Sequence, residues 1–516
     1  MSNGLVAVAP REISWGPLTG AIVVGKDILE LLSSSMYVDP MAIYREYVQN
    51  AADSIDEAQA RGLLVGPGRI DVGTDAETRT VTITDNGTGL PHDEFVDRLT
   101  AFGASRKRGS DARGFRGVGR LAGIGYCQEL IFRTRIEGAQ SASELRWDCK
   151  KFKHLLRTGD ASADLSSAVA QIVSVRRREA RDLPERFFSV ELRGIVRHRN
   201  DQLLNPLSIA DYLSQVAPLP LHPDFPFANT VLSHLHGKVR LGNVQIYVDG
   251  MEKPLCRPHA VGIDLGPDLK DPFTEIELIS VPGVDGETAA LGWIAHHGYI
   301  GALPPRSPVR GLRVRSGNIQ IGDDRLFEDL FPEPRFNAWA VGEVHVVDQR
   351  ITPNGRRDHF EQNVHFHNLL THLAPSARDI ARRCRTSSLQ RKWVRDFELR
   401  ETVVRGRVGI IRQGAVGRAE RHRLAEEIRE SLVALEQIAK RGELPLELSD
   451  NLRKRLEKVQ RDCQRLFHSP EVPSPWGRLP APKRRAYEHI IGLVYECSTN
   501  QATAKLLVDK ILARFA

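Results

Sequence analysis

Three short segments in the first 125 residues constrain this 516-residue chain more than anything else in it. The first is Glu46-Tyr47-Val48-Gln49-Asn50-Ala51-Ala52-Asp53, inside a stretch that reads as a helix over 40–60, with Pro40 at its start and Gly62 just past its end. Glu46, Asn50 and Asp53 stand at i, i+4 and i+7 and so share one helix face. Three polar groups on one stripe are costly to bury without partners. A carboxylate and an amide one turn apart can hold a water and a metal ion together. The second segment is Thr84-Asp85-Asn86-Gly87-Thr88-Gly89-Leu90, straight after a strand in which Val81 and Ile83 alternate with threonines. A carboxylate at a strand end accepts hydrogen bonds, and two glycines after it let backbone approach a ligand closely. The third runs Phe102-Gly103-Ala104-Ser105-Arg106-Lys107 and then Gly114-Phe115-Arg116-Gly117-Val118-Gly119-Arg120-Leu121-Ala122-Gly123. Glycine-rich backbone leading into a helix N-terminus is a phosphate cradle.

Each segment alone is weak. A DNGTG run occurs in ordinary turns, and Asp53 alone reads as a solvated helix residue. Gly117-Val118-Gly119-Arg120-Leu121-Ala122 mimics a dinucleotide fingerprint, but it follows a basic loop rather than a strand, which removes that reading. The sequence contains no GxxxxGK[ST], so it is not a P-loop protein.

In this order and spacing the three segments resemble the GHKL ATPase superfamily, which includes gyrase, the ninety-kilodalton heat-shock chaperones, histidine kinases and the MutL mismatch-repair clamps. The resemblance covers roughly residues 15–200. REYVQNAADSIDEA looks like the family's N-box, TDNGTGL like its adenine-binding box, and GFRGVGRLAGIG like its glycine-rich phosphate box with a lid before it. The resemblance implies an α+β chain. A Bergerat-type two-layer ATP-binding sandwich comes first, then an α/β transducer domain and a helical C-terminal region. It implies ATP and Mg²⁺ as ligands. Glu46 would be the general base acting on the attacking water, and Asn50 would complete the Mg²⁺ shell. Asp53 would support the nucleotide, and Asp85 would accept the adenine amino group. Gly87 and Gly89 would let the base lie close. Ser105 and Arg106 would belong to the lid, and Gly117 and Gly119 would donate backbone N–H groups to phosphates. The family often places a Gly-Thr pair before a final strand. Here that strand, Phe187-Phe188-Ser189-Val190-Glu191-Leu192, has no such threonine, and Ser189 stands one position off.

A second α/β region separates branches of the superfamily. VVDQRITPNGRRDHFEQN at 346–363 is similar to the chaperone segment in which an asparagine is followed three residues later by a γ-phosphate-sensing arginine. That match implies Arg357 as the sensor and Asn354 as the residue shaping its loop; a surface arginine in a Gly-Arg-Arg turn, with Arg356 as its neighbour, is the alternative. A guanidinium there would stabilise transition-state charge and couple phosphate occupancy to domain position.

Along the chain, the expected organisation is an ATP-binding domain over 1–225, a transducer-like domain over 226–365, a helical region over 366–468 and a small helical unit over 483–516. Further strands are expected at 128–136, 144–150, 170–177 and 187–196, and a helix at 20–34. Leu424, Ile428, Leu432, Leu435 and Ile438, then Leu448, Leu452, Leu456, Val459, Cys463 and Leu466, predict an αα-hairpin or short coiled coil. His296 and His297 are adjacent in a strand-like run and point to opposite faces, so neither they nor the Cys256/His259 pair reads as a metal site.

Residues 401–516 hold 22 Lys and Arg against 15 Asp and Glu, which equals the whole chain's net charge of +7. Acidic residues are interleaved, so this is a solvated helical face or a surface for nucleic acid or an acidic partner. Six scattered cysteines without a CxxC suit a reducing cytoplasm. No apolar run is long enough for a membrane span, and no secretory signal is read in Met1 to Arg11. The expectation is therefore a cytoplasmic homodimeric clamp, chaperone-like or MutL-like, acting on a protein client. The alternative is a nucleic-acid clamp of repair or phage defence. A protein kinase lacks its phosphoacceptor histidine before the ATP domain, and topoisomerase or endonuclease chemistry lacks its metal motif.

Overall fold

The alternation of apolar and polar residues over the first strands decides which face of the first sheet is covered. In the computed structural model, which describes residues 39–101, 119–158, 165–197, 199–266, 269–468 and 473–515, helix α1 (Ala42–Ala60) is followed by β1 (Gly68–Asp75) and β2 (Thr80–Asp85). Val81, Ile83 and Asp85 of β2 are buried, whereas Thr80, Thr82 and Thr84 are partly exposed. The buried set faces α1, which contributes Ile43, Tyr47, Val48, Ala51, Ala52 and Ile55 to the same core. Next come α2 (His92–Thr100), a 3₁₀ segment (Gly119–Gly125), β3 (Glu129–Arg135), β4 (Ser141–Asp148), α3 (Cys149–Thr158), α4 (Leu165–Ile172), β5 (Val173–Glu179), β6 (Phe187–Arg193), α5 (Pro206–Val216), α6 (Ala228–Leu235) and β7 (Val244–Val248).

The seven strands form one sheet in the order β5-β4-β3-β6-β2-β1-β7. All neighbours are antiparallel except β1 and β7. β7 lies past the boundary expected at 225, because Val244, Ile246 and Val248 bury with Ile70 and Val72 in the first core. The proline-rich 217–226 stretch is thus internal to the connection between α5 and β7, not the end of the sheet. Residues expected to begin a strand at 170 instead finish α4. The helix expected over 20–34 lies outside the described residues.

A second sheet has the order β10-β11-β14-β12-β13. Its strands are β10 (Glu275–Pro282), β11 (Thr288–His296), β12 (Gly311–Ser316), β13 (Ile319–Ile321) and β14 (Val341–Val346), preceded by a two-stranded β8 (Gly262–Gly266) and β9 (Leu269–Pro272) pair. Phe225, Phe273, Trp293 and Val341 belong to its core. Both sheets lie in one compact unit, Met1–His297 with Leu303–Ala377.

The second unit, Gly298–Ala302 with Arg378–Ala516, is helical. It holds most of α7 (Val364–Gln413), then α8 (Arg418–Ala439), α9 (Leu446–His468), α10 (Ala481–Cys497) and α11 (Gln501–Phe515). Leu424, Ile428, Leu435 and Ile438 of α8 bury with Leu452, Leu456, Val459 and Cys463 of α9, the apolar spacing seen in the sequence. Glu401 accepts from Arg405 and Arg455 and ties α7 to α9. No helix among the described residues is long and apolar enough to cross a membrane.

Candidate active site

The helical spacing of Glu46, Asn50 and Asp53 puts them on one side of α1, with Glu46 and Asp53 buried and Asn50 partly so. Glu46 is gripped from two directions. Arg45, itself buried, donates to Glu46 Oε1 from Nε at 3.4 Å and from Nη2 at 3.3 Å. The Gly119 backbone, opening the 3₁₀ segment, passes so close that a Cβ there would strike Glu46 Oε2. Tyr47 fixes that segment: its hydroxyl accepts the Gly123 N–H at 2.9 Å and donates to the Arg120 carbonyl at 3.2 Å.

A third group arrives from the loop after β14. Arg357 Nε lies 3.9 Å from Glu46 Oε1, with the Arg357 side chain 13% exposed. Its backbone is left-handed, at φ 57°, a conformation that non-glycine residues hold only when surroundings enforce it. The enforcement is visible. Asn354 caps the turn through its own side chain, which bonds Asp358 at 2.6 Å. Gly322 donates to the Arg357 carbonyl at 2.9 Å. Arg45 Nη2 donates to the Arg356 carbonyl at 3.1 Å, and its Nη1 reaches the Arg357 carbonyl at 3.5 Å. Arg356 is exposed. Of the two adjacent arginines, Arg357 is the one that approaches Glu46 among the described residues.

Asp85 ends β2 and is 4% exposed. Burial pushes this carboxyl up to about 7, against the Gly87 N–H and the Ser54 hydroxyl, which both favour its charged form. Gly87 N–H donates to Oδ1 at 2.9 Å. The loop that follows is held onto α1 by Ser54, whose hydroxyl accepts the Thr88 N–H at 3.0 Å. Gly89 has φ 66°, and a Cβ there would strike the Arg135 carbonyl, so glycine is demanded by protein contact as well as by conformation.

Register decides which hydroxyl shares the Asp85 side of the sheet. Asp85 pairs with Phe188, and Phe188 with Thr134. Paired residues point to one face, so Asp85 and Thr134 face together. Ser189 pairs with Thr84, whose hydroxyl lies 2.9 Å from its own, on the opposite face. Ser189 therefore lies on the face of the sheet opposite Asp85. Thr134 is 1% exposed, accepts the Leu90 N–H at 2.8 Å and donates to the Phe187 carbonyl at 3.2 Å, beside the Gly89 loop.

Ser105, Arg106 and Gly117 lie outside the described residues. Arg45, Ser54 and Thr134 were not singled out from the sequence. Arg45 and Ser54 flank named residues on α1. Thr134 is recoverable only from strand register. Each adjacent histidine of the second sheet has its own carboxylate: His296 Nε2 is 3.1 Å from Glu277, and His297 Nδ1 is 2.7 Å from Asp271. No cluster of three potential ligands for a metal occurs among the described residues.

A buried strand-end carboxyl, a carboxylate–amide helix face and a glycine-rich turn against that face lie in a segment similar to the GHKL type of ATPase domain. Residues 42–173 match the family of histidine kinase-, DNA gyrase B-, and HSP90-like ATPases. The chain is 31% identical over 142 residues to chaperone protein HtpG of Pectobacterium atrosepticum, covering 24% of this chain and 23% of that one. It is 26% identical over 207 residues to chaperone protein HtpG of Aromatoleum aromaticum, covering 35% of this chain and 31% of the relative. The chain thus matches between about a quarter and a third of the length of these curated relatives.

Proposed function

We propose that this chain is an ATP-driven conformational clamp of the chaperone-like kind. It binds and hydrolyses Mg-ATP in the pocket bounded by α1, the Asp85 loop and the 3₁₀ segment, and it pairs with a second copy through its N-terminal domain. The observation that carries this reading is the meeting of Glu46 with Arg357, a residue from a separate sheet domain. Such a meeting ties the state of the phosphates to the relation between the two sheets, which is what an ATP-driven switch requires.

In this reading Glu46 accepts the proton of the attacking water, oriented by Arg45 and by the Gly119 backbone. Asp85 accepts the adenine amino group, with Thr134 as the neighbouring hydroxyl. The amide oxygen of Asn50, one turn from Glu46, fits a hard oxygen-seeking cation, and with triphosphate oxygens it would hold Mg²⁺, which supplies charge neutralisation. Asp53 supports that face. Gly119 would donate its N–H to the phosphates, and the resemblance assigns Gly117 to the same task and Ser105 and Arg106 to the lid. Arg357 leaves Glu46 for the γ-phosphate and stabilises charge there as the bond breaks.

The test is ATP turnover by the full chain and by Glu46→Ala, Arg357→Ala and Arg356→Ala, with and without duplex DNA. Glu46→Ala keeps ATP binding and loses turnover by at least about a hundredfold. Arg357→Ala slows turnover with little loss of binding, whereas Arg356→Ala does not. Equal hydrolysis by Glu46→Ala removes the base assignment. Turnover that rises with DNA moves the reading to a nucleic-acid clamp using the basic helical region; turnover indifferent to DNA keeps the protein client.

A further inference from the structure

Three buried side chains, Glu343, Arg257 and Arg315, form an ionic cluster against the second sheet. Glu343 on β14 is 0% exposed, and Arg257 and Arg315 are each 1% exposed. Arg315 Nε donates to Glu343 Oε1 at 2.7 Å, and Arg257 Nη1 donates to Oε2. Removing three charges from water is expensive, and two apolar side chains would fill the volume at least as well. Most of the remaining guanidinium donors go to main chain. Arg315 reaches the carbonyls of Gln215 at 2.6 Å and Ala217 at 3.1 Å, at the C-terminal end of α5. Arg257 Nε reaches the Leu219 carbonyl at 3.0 Å. The chain leaving the last helix of the first core is therefore held, carbonyl by carbonyl, by the second sheet.

The same cluster holds the β12–β13 hairpin. Arg315 Nη1 donates to the Asn318 carbonyl at 3.1 Å, and Arg257 donates to the Asn318 side chain. Asn318 sits in the turn with φ 64°. β13 ends at Ile321, and the next residue, Gly322, holds the Arg357 carbonyl through its N–H. Gln320 stiffens that end, accepting from Arg313 at 3.0 Å and donating to the Gly322 carbonyl at 3.1 Å.

We infer that Arg315 and Arg257, paired on Glu343, are positioning residues for Arg357: they fix the connection after α5 and the β12–β13 hairpin to one another, and the hairpin's far end sets the left-handed turn that aims Arg357 at the nucleotide. Neither arginine touches the nucleotide itself. The inference rests on the reading of Arg357 as the phosphate contact.

The experiment is a double-mutant cycle in the full chain, measuring kcat and KM for ATP in wild type, Arg315→Gln, Arg357→Ala and the pair. Arg315→Gln is expected to lower kcat by about tenfold, with KM and the calorimetric ATP affinity within about twofold of wild type. In the Arg357→Ala background it should lower kcat no further. A purely structural role instead gives additive losses, or an affinity loss equal to the loss in kcat, and either result overturns the inference. If Arg315→Gln does not fold, Gln320→Met runs the same cycle with both arginines still on Glu343, under the same criteria. If Arg357→Ala itself turns over like wild type, the reading of Arg357 falls and the positioning role falls with it. Additive losses, with Arg357→Ala still slow, remove the positioning role alone.

Discussion

Asp85 and Glu343 are both carboxyl groups sealed inside the first unit, and they behave in opposite ways. Among the described residues Asp85 meets hydrogen-bond donors but makes no ion pair, and burial pushes it up to about 7. Burial would raise Glu343 too, yet Arg257 and Arg315 beside it hold it well below the usual carboxylate range. Burial also brings Arg257 down to about 9, which leaves it charged at neutral pH. A buried acid left without a counter-charge is poised to receive one more donor from a ligand. A buried acid with two guanidinium partners has no capacity for a ligand and can only organise what surrounds it. Glu46 is surrounded differently again, with Arg45 and Arg357 near one oxygen and the glycine backbone against the other.

The sharpest break of this comparison is in stability. Glu343→Gln strands two buried guanidinium groups and should cost about 3–5 kcal/mol. Asp85→Asn replaces a group already inclined to be neutral and should cost no more than about 1 kcal/mol. Their pH dependences should run in opposite directions. Folding favours protonated Asp85, so its contribution is complete below about 4, the ordinary aspartate value, and is lost as pH rises through about 7. Folding favours ionised Glu343, so its contribution is present above the ordinary glutamate value and is lost as pH falls through the depressed one. Denaturant midpoints of wild type and both variants from about pH 2 to about pH 8 check this. Parallel curves for wild type and Asp85→Asn would show that Asp85 is not the raised group.

The next effect is on the ligand. Asp85→Asn should weaken ATP binding by about 10- to 100-fold at pH 8, the loss of a hydrogen bond to a charged acceptor. Wild-type affinity should rise as pH increases through about 7, where Asp85 becomes a full acceptor, and the variant's affinity should stay flat. Calorimetric titration at pH 6 and pH 8 reads both. An identical pH response in the two proteins would remove Asp85 from the adenine contact.

What the sequence disclosed follows from locality. Glu46, Asn50 and Asp53 are legible because helical spacing alone puts them on one face, and Asp85 because a strand and a glycine turn adjoin it. The αα-hairpin of the second unit was legible because its apolar stripe is continuous along each helix. Arg357 came from a local asparagine–arginine spacing, but its approach to Glu46 closes a loop of more than 300 residues, and no local pattern encodes that. The assignment of β7 to the first sheet was hidden for the same reason. Its partner β1 lies far upstream, and parallel pairing needs a crossover whose helices look like the start of a new domain. The Glu343 cluster was invisible because its arginines are scattered through a chain rich in arginine. Only burial separates them from the solvated majority.

The smallest expected effect tests the strand register directly. Sequence alone puts Ser189 nearest to the missing threonine, while pairing puts Thr134 on the Asp85 face and Ser189 on the other. Thr134→Val keeps shape and loses one hydroxyl, so ATP binding should weaken by about three- to tenfold, roughly 1 kcal/mol for one hydrogen bond. Part of any stability loss comes from the Leu90 N–H, which loses its acceptor. A melting curve separates that from the binding effect. Ser189→Ala loses a hydroxyl that faces Thr84 and should leave ATP affinity unchanged within about twofold. The reverse result, with Ser189→Ala weakening ATP and Thr134→Val silent, would mean that the adenine lies on the other side of β6 from Asp85, and both the Asp85 assignment and the pocket built around it would have to be abandoned.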